Sequence, residues 1–125
     1  RNAVPVEMAL TAKARGIIVV ALTSLAHSKS VPSRHSSGER LFDVADIVID
    51  NCGVVGDAVL PVNGLPTNVC PTSTVVGAAI INMIQAEVVE RLGAMGIVPP
   101  VFVSANVDGG DEIDRQWRGA FEKRA

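Results

Sequence analysis

Four places along the chain carry residue types suited to chemistry. Thr72, Ser73 and Thr74 put three hydroxyls ahead of an apolar run, Val75 to Ile81. Hydroxyls there cap a helix, accepting backbone N–H bonds that the first turn leaves unpaired. The same N–H groups, with the helix dipole behind them, also attract an anion, so cap and anion site both fit these residues. His35 lies in TSLAHSKSVPSRHSSG, a serine-rich polar segment. Imidazole exchanges protons near neutral pH, which makes His35 the candidate catalytic acid or base; the alternative is a solvated or capping side chain. His27, in the same segment, has less in its favour. Asp57 ends the stretch NCGVVGD, whose glycines let backbone come close to a ligand. Its carboxylate would accept a bond from a ligand hydroxyl, or would close an Asx-turn. Asn2 stands where it can cap a first helix, and a cap can also meet an anion.

Other polar clusters carry less. Asp108, Asp111 and Glu112 lack the spacing of a calcium loop, and Asp111 with Glu112 suits the first turn of a last helix. Cys52 and Cys70 have neither C-x-x-C spacing nor basic neighbours, so they read as inert free thiols of a reducing cytoplasm. Two Cys and two His at irregular spacing make no zinc site, and neither a metal nor a cofactor is expected.

The elements that must position these residues follow from the pattern. A helix begins at Ala3, with Pro5 in its first turn, Val4, Met8 and Ala12 on one face, and Gly16 as its stop. Ile17 to Leu22, IIVVAL, is a β-branched run typical of a strand buried on both faces of a parallel sheet. Ser36 and Glu39 form a capping box for a short helix through Val44, and Asp46 to Asp50 is a second buried strand, parallel to the first. Asn63 and Gly64 predict a two-residue hairpin turn between Ala58–Val62 and Leu65–Val69. The long helix from Thr72–Thr74 to about Met95 and Gly96 is apolar all round in its first half, hence buried there. Its apolar run is too short to cross a bilayer. Pro99 and Pro100 force VFVSAN to be extended, and Ile113, Trp117 and Phe121 stripe a final amphipathic helix. In an open parallel sheet ligands gather at the C-terminal strand edge, so Asn2, His35, Asp57 and Thr72–Thr74 are expected to converge there.

A length of 125 residues fits one domain, and 48% hydrophobic with 19% charged residues excludes disorder. A net charge of −2 with scattered Lys and Arg points to neither nucleic acid nor a membrane surface. Two parallel strands fall short of the usual sheet. Further strands are expected from an N-terminal half or a second chain, and a start at Arg1 reads as a piece of something longer.

The segments RNAVPVEMAL, PSRHSSGERLFDVADIVIDNCGVVGDA, PTSTVVGAAI and PPVFVSANVDGGDE run in order along nearly the whole chain. Together they resemble the C-terminal half of a sugar isomerase (SIS) domain, nearest to the phosphosugar-binding proteins labelled phosphoheptose-isomerase-like. The resemblance implies an α/β fold, a flavodoxin-like three-layer αβα sandwich with a parallel sheet, of which residues 1–125 supply the C-terminal half. It implies a homodimer that binds a phosphorylated sugar at the strand C-termini, with the N-terminal half needed to complete the sheet. Arg1 and Asn2 match the two residues after the glycine of the family's Ser-x-Ser-Gly loop, making Asn2 a phosphate ligand. Thr72, Ser73 and Thr74 match its second ligand-facing loop. The expected function is phosphosugar binding, with sugar-phosphate isomerisation if chemistry occurs. Val69, Cys70 and Pro71 put no carboxylate before Thr72, which favours a non-catalytic phosphosugar-sensing module. A structural fragment that completes a sheet is the third reading.

Overall fold

Local stop and start signals divide the chain into short elements. A computed structural model describes residues 1–122. They form a mixed α/β structure in two compact units, Arg1–Asn82 and the segment from Met83 onward. The first contains α1 (Ala3–Ala14), β1 (Val20–Thr23), α2 (Leu25–Lys29), α3 (Leu41–Val44), β2 (Ile47–Asp50), β3 (Ala58–Leu60) and β4 (Val69–Pro71). It also holds the start of α4 (Ser73–Ala94), whose later turns belong to the second unit with α5 (Gly110–Glu122).

Helix α1 starts one residue after Asn2 and stops at Gly16, whose φ of +73° suits a residue without a Cβ. Its buried face differs from the expected one. Val6 is fully buried and packs with Ala9 and Val44, whereas Val4 is 69% exposed and Met8 is exposed too. One helical turn contains both faces, and the Val4–Met8–Ala12 spacing alone does not tell which of them meets α3.

Strands β1 and β2 pair in parallel, Val20 opposite Ile47 through Thr23 opposite Asp50. Both are shorter than expected, and Ile17 and Ile18 precede β1 outside the ladder with exposed side chains. The ladder ends there because Asp46 takes over: its carboxylate accepts the Val19 N–H at 2.9 Å and pairs with Lys13 at 2.6 Å. These bonds tie α1 and the start of β2 together, and the hydrogen bonds from Lys13 and Val19 hold the Asp46 carboxyl below its ordinary range. The strands are not buried on both faces; Val20 and Ile47 are exposed, because residues 1–122 place only this pair in the parallel sheet.

The crossover between the strands holds two short helices where one was expected. Ser24 caps α2, accepting the His27 N–H at 3.0 Å. Helix α3 is started by Arg40 and Asp43, the Asp43 carboxylate accepting the Arg40 N–H at 2.9 Å, in place of Ser36 and Glu39. Ser33, two residues ahead of His35, instead bonds the Glu39 carbonyl. The second expected pairing, β3 with β4, is antiparallel as predicted but wider: Ala58 faces Pro71 and Leu60 faces Val69. Asn63 and Gly64 do turn, closed by the Leu65 N–H to Val62 O bond at 3.1 Å, but within a longer loop. A β3–β4 ladder set by Asp57 at one end moves the pairing away from the tight turn.

Helix α4 keeps its predicted limits, and Gly96 ends it with a φ of +73°. No residue of α4 is buried, against the expectation for its apolar first half; Val75 is 72% exposed. A methyl on Gly77 would lie 3.7 Å from Leu22, so the first turns do lie near β1, and the remaining apolar side chains lack a covering layer. In the second unit residues 97–104 are irregular, and Asp111 and Glu112 occupy the first turn of α5. Ile113 is exposed and Trp117 half-buried; the Phe121 side chain lies outside the described residues.

Candidate functional site

The parallel pairing sends both strands out at the same edge, where sequence-local polar residues bind the two exits together. The Asn51 N–H bonds Thr23 O at 3.0 Å, just past the end of the ladder. Asp50 Oδ1 accepts the N–H groups of Leu25 and Cys52 at 3.1 and 3.0 Å, one from each exit. The Ser24 hydroxyl donates to Gly53 O at 2.5 Å, and the Gly56 N–H donates to His27 Nδ1 at 3.0 Å. His27 is therefore an acceptor at Nδ1 and a clasp for the 51–57 loop. A Cβ on Gly53 would lie 3.0 Å from Asn51 Oδ1, so a larger residue there would push the Asn51 side chain back by a few tenths of an ångström.

The loop ends at Asp57, which brings three of the expected site residues together. Its carboxylate accepts the N–H groups of Thr72 at 3.1 Å and Ser73 at 2.8 Å, and the Ser73 hydroxyl at 2.5 Å. The Thr72 hydroxyl lies 3.4 Å from the same carboxylate. The negative group at the start of α4 is thus supplied by the chain itself, where free N–H groups and the dipole favour it. Above all the Ser73 hydroxyl, then the backbone N–H groups of Ser73 and Thr72, hold the Asp57 carboxyl below its usual value. Thr74 is exposed one position further on.

Three residues with side chains bend through the left-handed region around this site: Cys52 at φ 55°, Asp57 at 70° and Cys70 at 61°. Each costs on the order of 1 kcal/mol relative to an ordinary conformation. Such cost persists where the surrounding bonds fix the backbone, as the Asp50 and Asp57 carboxylates do here. Both cysteines are free and exposed.

His35 forms a second cluster. Its imidazole is one-tenth exposed, with Nε2 2.8 Å from Glu7 Oε2 and Nδ1 2.8 Å from Ser37 Oγ. The Arg34 N–H bonds Arg1 O at 2.9 Å, which sets this loop against the start of α1. Asn2 is there too, extended at the N-cap position and exposed, with no side-chain capping bond. The expected set is therefore found as two groups, Asn2 with His35, and Asp57 with Thr72 and Ser73. No hydrogen bond joins the groups among the described residues. Sequence reasoning left out Glu7, Ser24, Ser37 and Asp50. Only Ser24 carried a local signal, a hydroxyl residue directly ahead of LAHSK. Among the described residues no group of three or more His, Cys, Asp or Glu side chains is arranged to hold a metal ion, and no helix is long and apolar enough to cross a membrane.

No protein-family model matches the chain. It is similar to curated bacterial proteins named UPF0309 protein. One, from Geobacillus thermodenitrificans, is 48% identical over 124 residues, which is 99% of this chain and 50% of the relative. Another, from Shouchella clausii, is 52% identical over 111 residues, 89% of this chain and 45% of the relative. A third, from Caldanaerobacter subterraneus, is 47% identical over 126 residues, 99% of this chain and 51% of the relative. The chain spans about half the length of the curated relatives it matches.

Proposed function

We propose that this chain forms part of a phosphosugar-binding domain of the SIS type, a three-layer αβα sandwich in which β1 and β2 are neighbours in a larger parallel sheet. The observation that carries the reading is the shared C-terminal edge of β1 and β2. There α2 and the 51–57 loop leave side by side, stitched by Asp50, Ser24 and His27. Open α/β sheets bind their ligands at that edge. The resemblance to SIS domains along the chain supplies the ligand class. In this reading the phosphate sits at the start of α1, where the Asn2 side chain is not used as a cap. Sugar hydroxyls fall towards Thr74 and the unused lone pairs of Asp57 and Ser73. The domain pairs with a second copy, and strands from outside residues 1–125 complete the sheet.

A second reading, sugar-phosphate isomerisation, is favoured by one observation: an imidazole held at both nitrogens near the start of α1. Calorimetry on the intact protein with fructose 6-phosphate and sedoheptulose 7-phosphate, against the unphosphorylated sugars, tests the binding. The phosphorylated forms are expected to bind and the free sugars not, and Asn2→Ala weakens binding by about 1–3 kcal/mol, the cost of an unpaired polar group. Equal affinity for free and phosphorylated sugars, or none for either, overturns the reading.

A further inference from the structure

We propose that Asn63 is a covalent modification site: its side-chain amide is lost through attack by the Gly64 backbone nitrogen, which leaves a carboxylate in the loop between β3 and β4. The inference stands apart from the phosphosugar reading and does not rest on it. Asparagine is a thermolabile residue. Loss of its amide through the backbone needs a free side chain, a following N–H that the fold does not use, and no crowding at that nitrogen. The turn supplies all three. Asn63 and Gly64 are exposed, and the Leu65 N–H to Val62 O bond at 3.1 Å closes the turn around them. Among the described residues neither the Asn63 side chain nor the Gly64 N–H takes part in a hydrogen bond. Gly64 has no Cβ, and no heavy atom lies within 4 Å of where one would stand.

The other asparagines each lack a requirement. Cys52 and Val107, which follow Asn51 and Asn106, donate their N–H groups to Asp50 Oδ1 at 3.0 Å and Ser104 O at 2.9 Å. Asn68 donates from its side chain to Ala58 O at 3.3 Å and precedes Val69 of β4. Asn82 lies inside α4, and Asn2 precedes Ala3, which carries a Cβ.

The reaction balances with water alone. Hydroxide takes the Gly64 amide proton, and the nitrogen attacks the Asn63 side-chain carbonyl carbon. The new C–N bond forms, the bond to the side-chain nitrogen breaks, and that nitrogen takes a proton from water and leaves as ammonia. Water then opens the cyclic imide at either carbonyl. Opening at the side-chain carbonyl gives aspartate, and opening at the main-chain carbonyl gives isoaspartate, whose main chain runs through the former side chain. Between Asp57 and Glu87 the sequence holds no charged residue, and Leu60, Val62 and Leu65 around the turn are exposed. A carboxylate at position 63 is costly to bury, so its arrival keeps this apolar loop in solvent.

Mass spectrometry on the intact protein, held folded at mildly alkaline pH and then digested, tests this. The tryptic peptide 41–91 carries Asn51, Asn63, Asn68 and Asn82, and its fragmentation locates the change. Asn63 is expected to react first, with a mass gain of about 1 Da and two separable products, aspartyl and isoaspartyl. Asn63→Gln is expected to abolish the early gain, and Gly64→Ala to slow it. Retention of the Asn63 amide in folded protein while urea-unfolded protein loses it overturns the claim that the fold leaves this site open. Reaction at another asparagine first overturns the choice of Asn63, and an aspartyl product without isoaspartyl overturns attack by Gly64.

Discussion

Asp57 shows how one side chain decides what the start of a helix does. Three hydroxyls there suggest that the helix is either capped by them or open to an anion. The structure places a carboxylate from fifteen and sixteen positions upstream on the N–H groups of Thr72 and Ser73, with the Ser73 hydroxyl as a further donor. Because these bonds favour the ionised form, folding lowers the Asp57 carboxyl below the ordinary 3.8. A group whose folded value is depressed contributes stability that is complete above its unfolded value and disappears as pH falls through the folded value. Asp46, held down by Lys13 and Val19, and Asp43, held down by Arg40, act in the same direction. Stability is thus expected to fall below about pH 4, the unfolded carboxylate range. Asp57→Asn keeps an acceptor oxygen but no titration, so it is expected to lower the thermal midpoint near neutral pH and to flatten the acid limb. Thermal melts of both proteins between pH 3 and pH 7 check this; an acid limb of undiminished slope in Asp57→Asn would sink the assignment.

At the scale of elements, the crossover between β1 and β2 is where local sequence and long-range structure part. Ser24 both caps α2 and donates to Gly53 O, so one hydroxyl joins the two strand exits. Helix α2 has only five residues and little cooperativity of its own. Ser24→Ala is expected to cost about 1 kcal/mol from the cap alone. Faster amide exchange at His27, Ser28 and Gly56 than in the parent protein is the measurement that shows it. What was legible beforehand follows the same division. The long helix, the two strand segments, the turn at Asn63 and Gly64, and the acidic start of α5 all rest on neighbours in sequence, and the structure contains them; the parallel pairing of the strands follows from the crossover between them. The wider β3–β4 register was not legible, since it depends on Asp57 reaching Thr72 across the hairpin. The face of α1 that is buried depends on Val44, and the Ser36–Glu39 box yields to Arg40 and Asp43, whose bonds are equally local but involve Arg, a residue not usual at a cap. The site divides likewise. Asp57 with Thr72 and Ser73 could be listed from residue type, but the Glu7–His35 pair joins segments that no local pattern connects.

For the molecule as a whole, the count of buried apolar groups is small for so apolar a sequence. Val6, Ala9, Ala21 and Val44 are the buried apolar side chains among the described residues, in a chain that is 48% hydrophobic. Val20 and Ile47 stand exposed on the parallel pair, Val75, Ile81 and Val88 on α4, and within the second unit Ile84, Leu92 and Phe102 line an open apolar groove. Exposed apolar side chains in this number are covered in working proteins, because each forgoes roughly 1.5–3 kcal/mol of burial. A two-stranded sheet also leaves strand edges that template further pairing. Residues 1–125 expressed alone are therefore expected to self-associate, and a polypeptide of the full length of the UPF0309 relatives to form a discrete species. Light scattering coupled to size exclusion, over a tenfold concentration range, distinguishes the two. A monomer of residues 1–125 that unfolds cooperatively would show that these apolar faces need no covering, and the larger parallel sheet proposed around β1 and β2 would lose its physical motive.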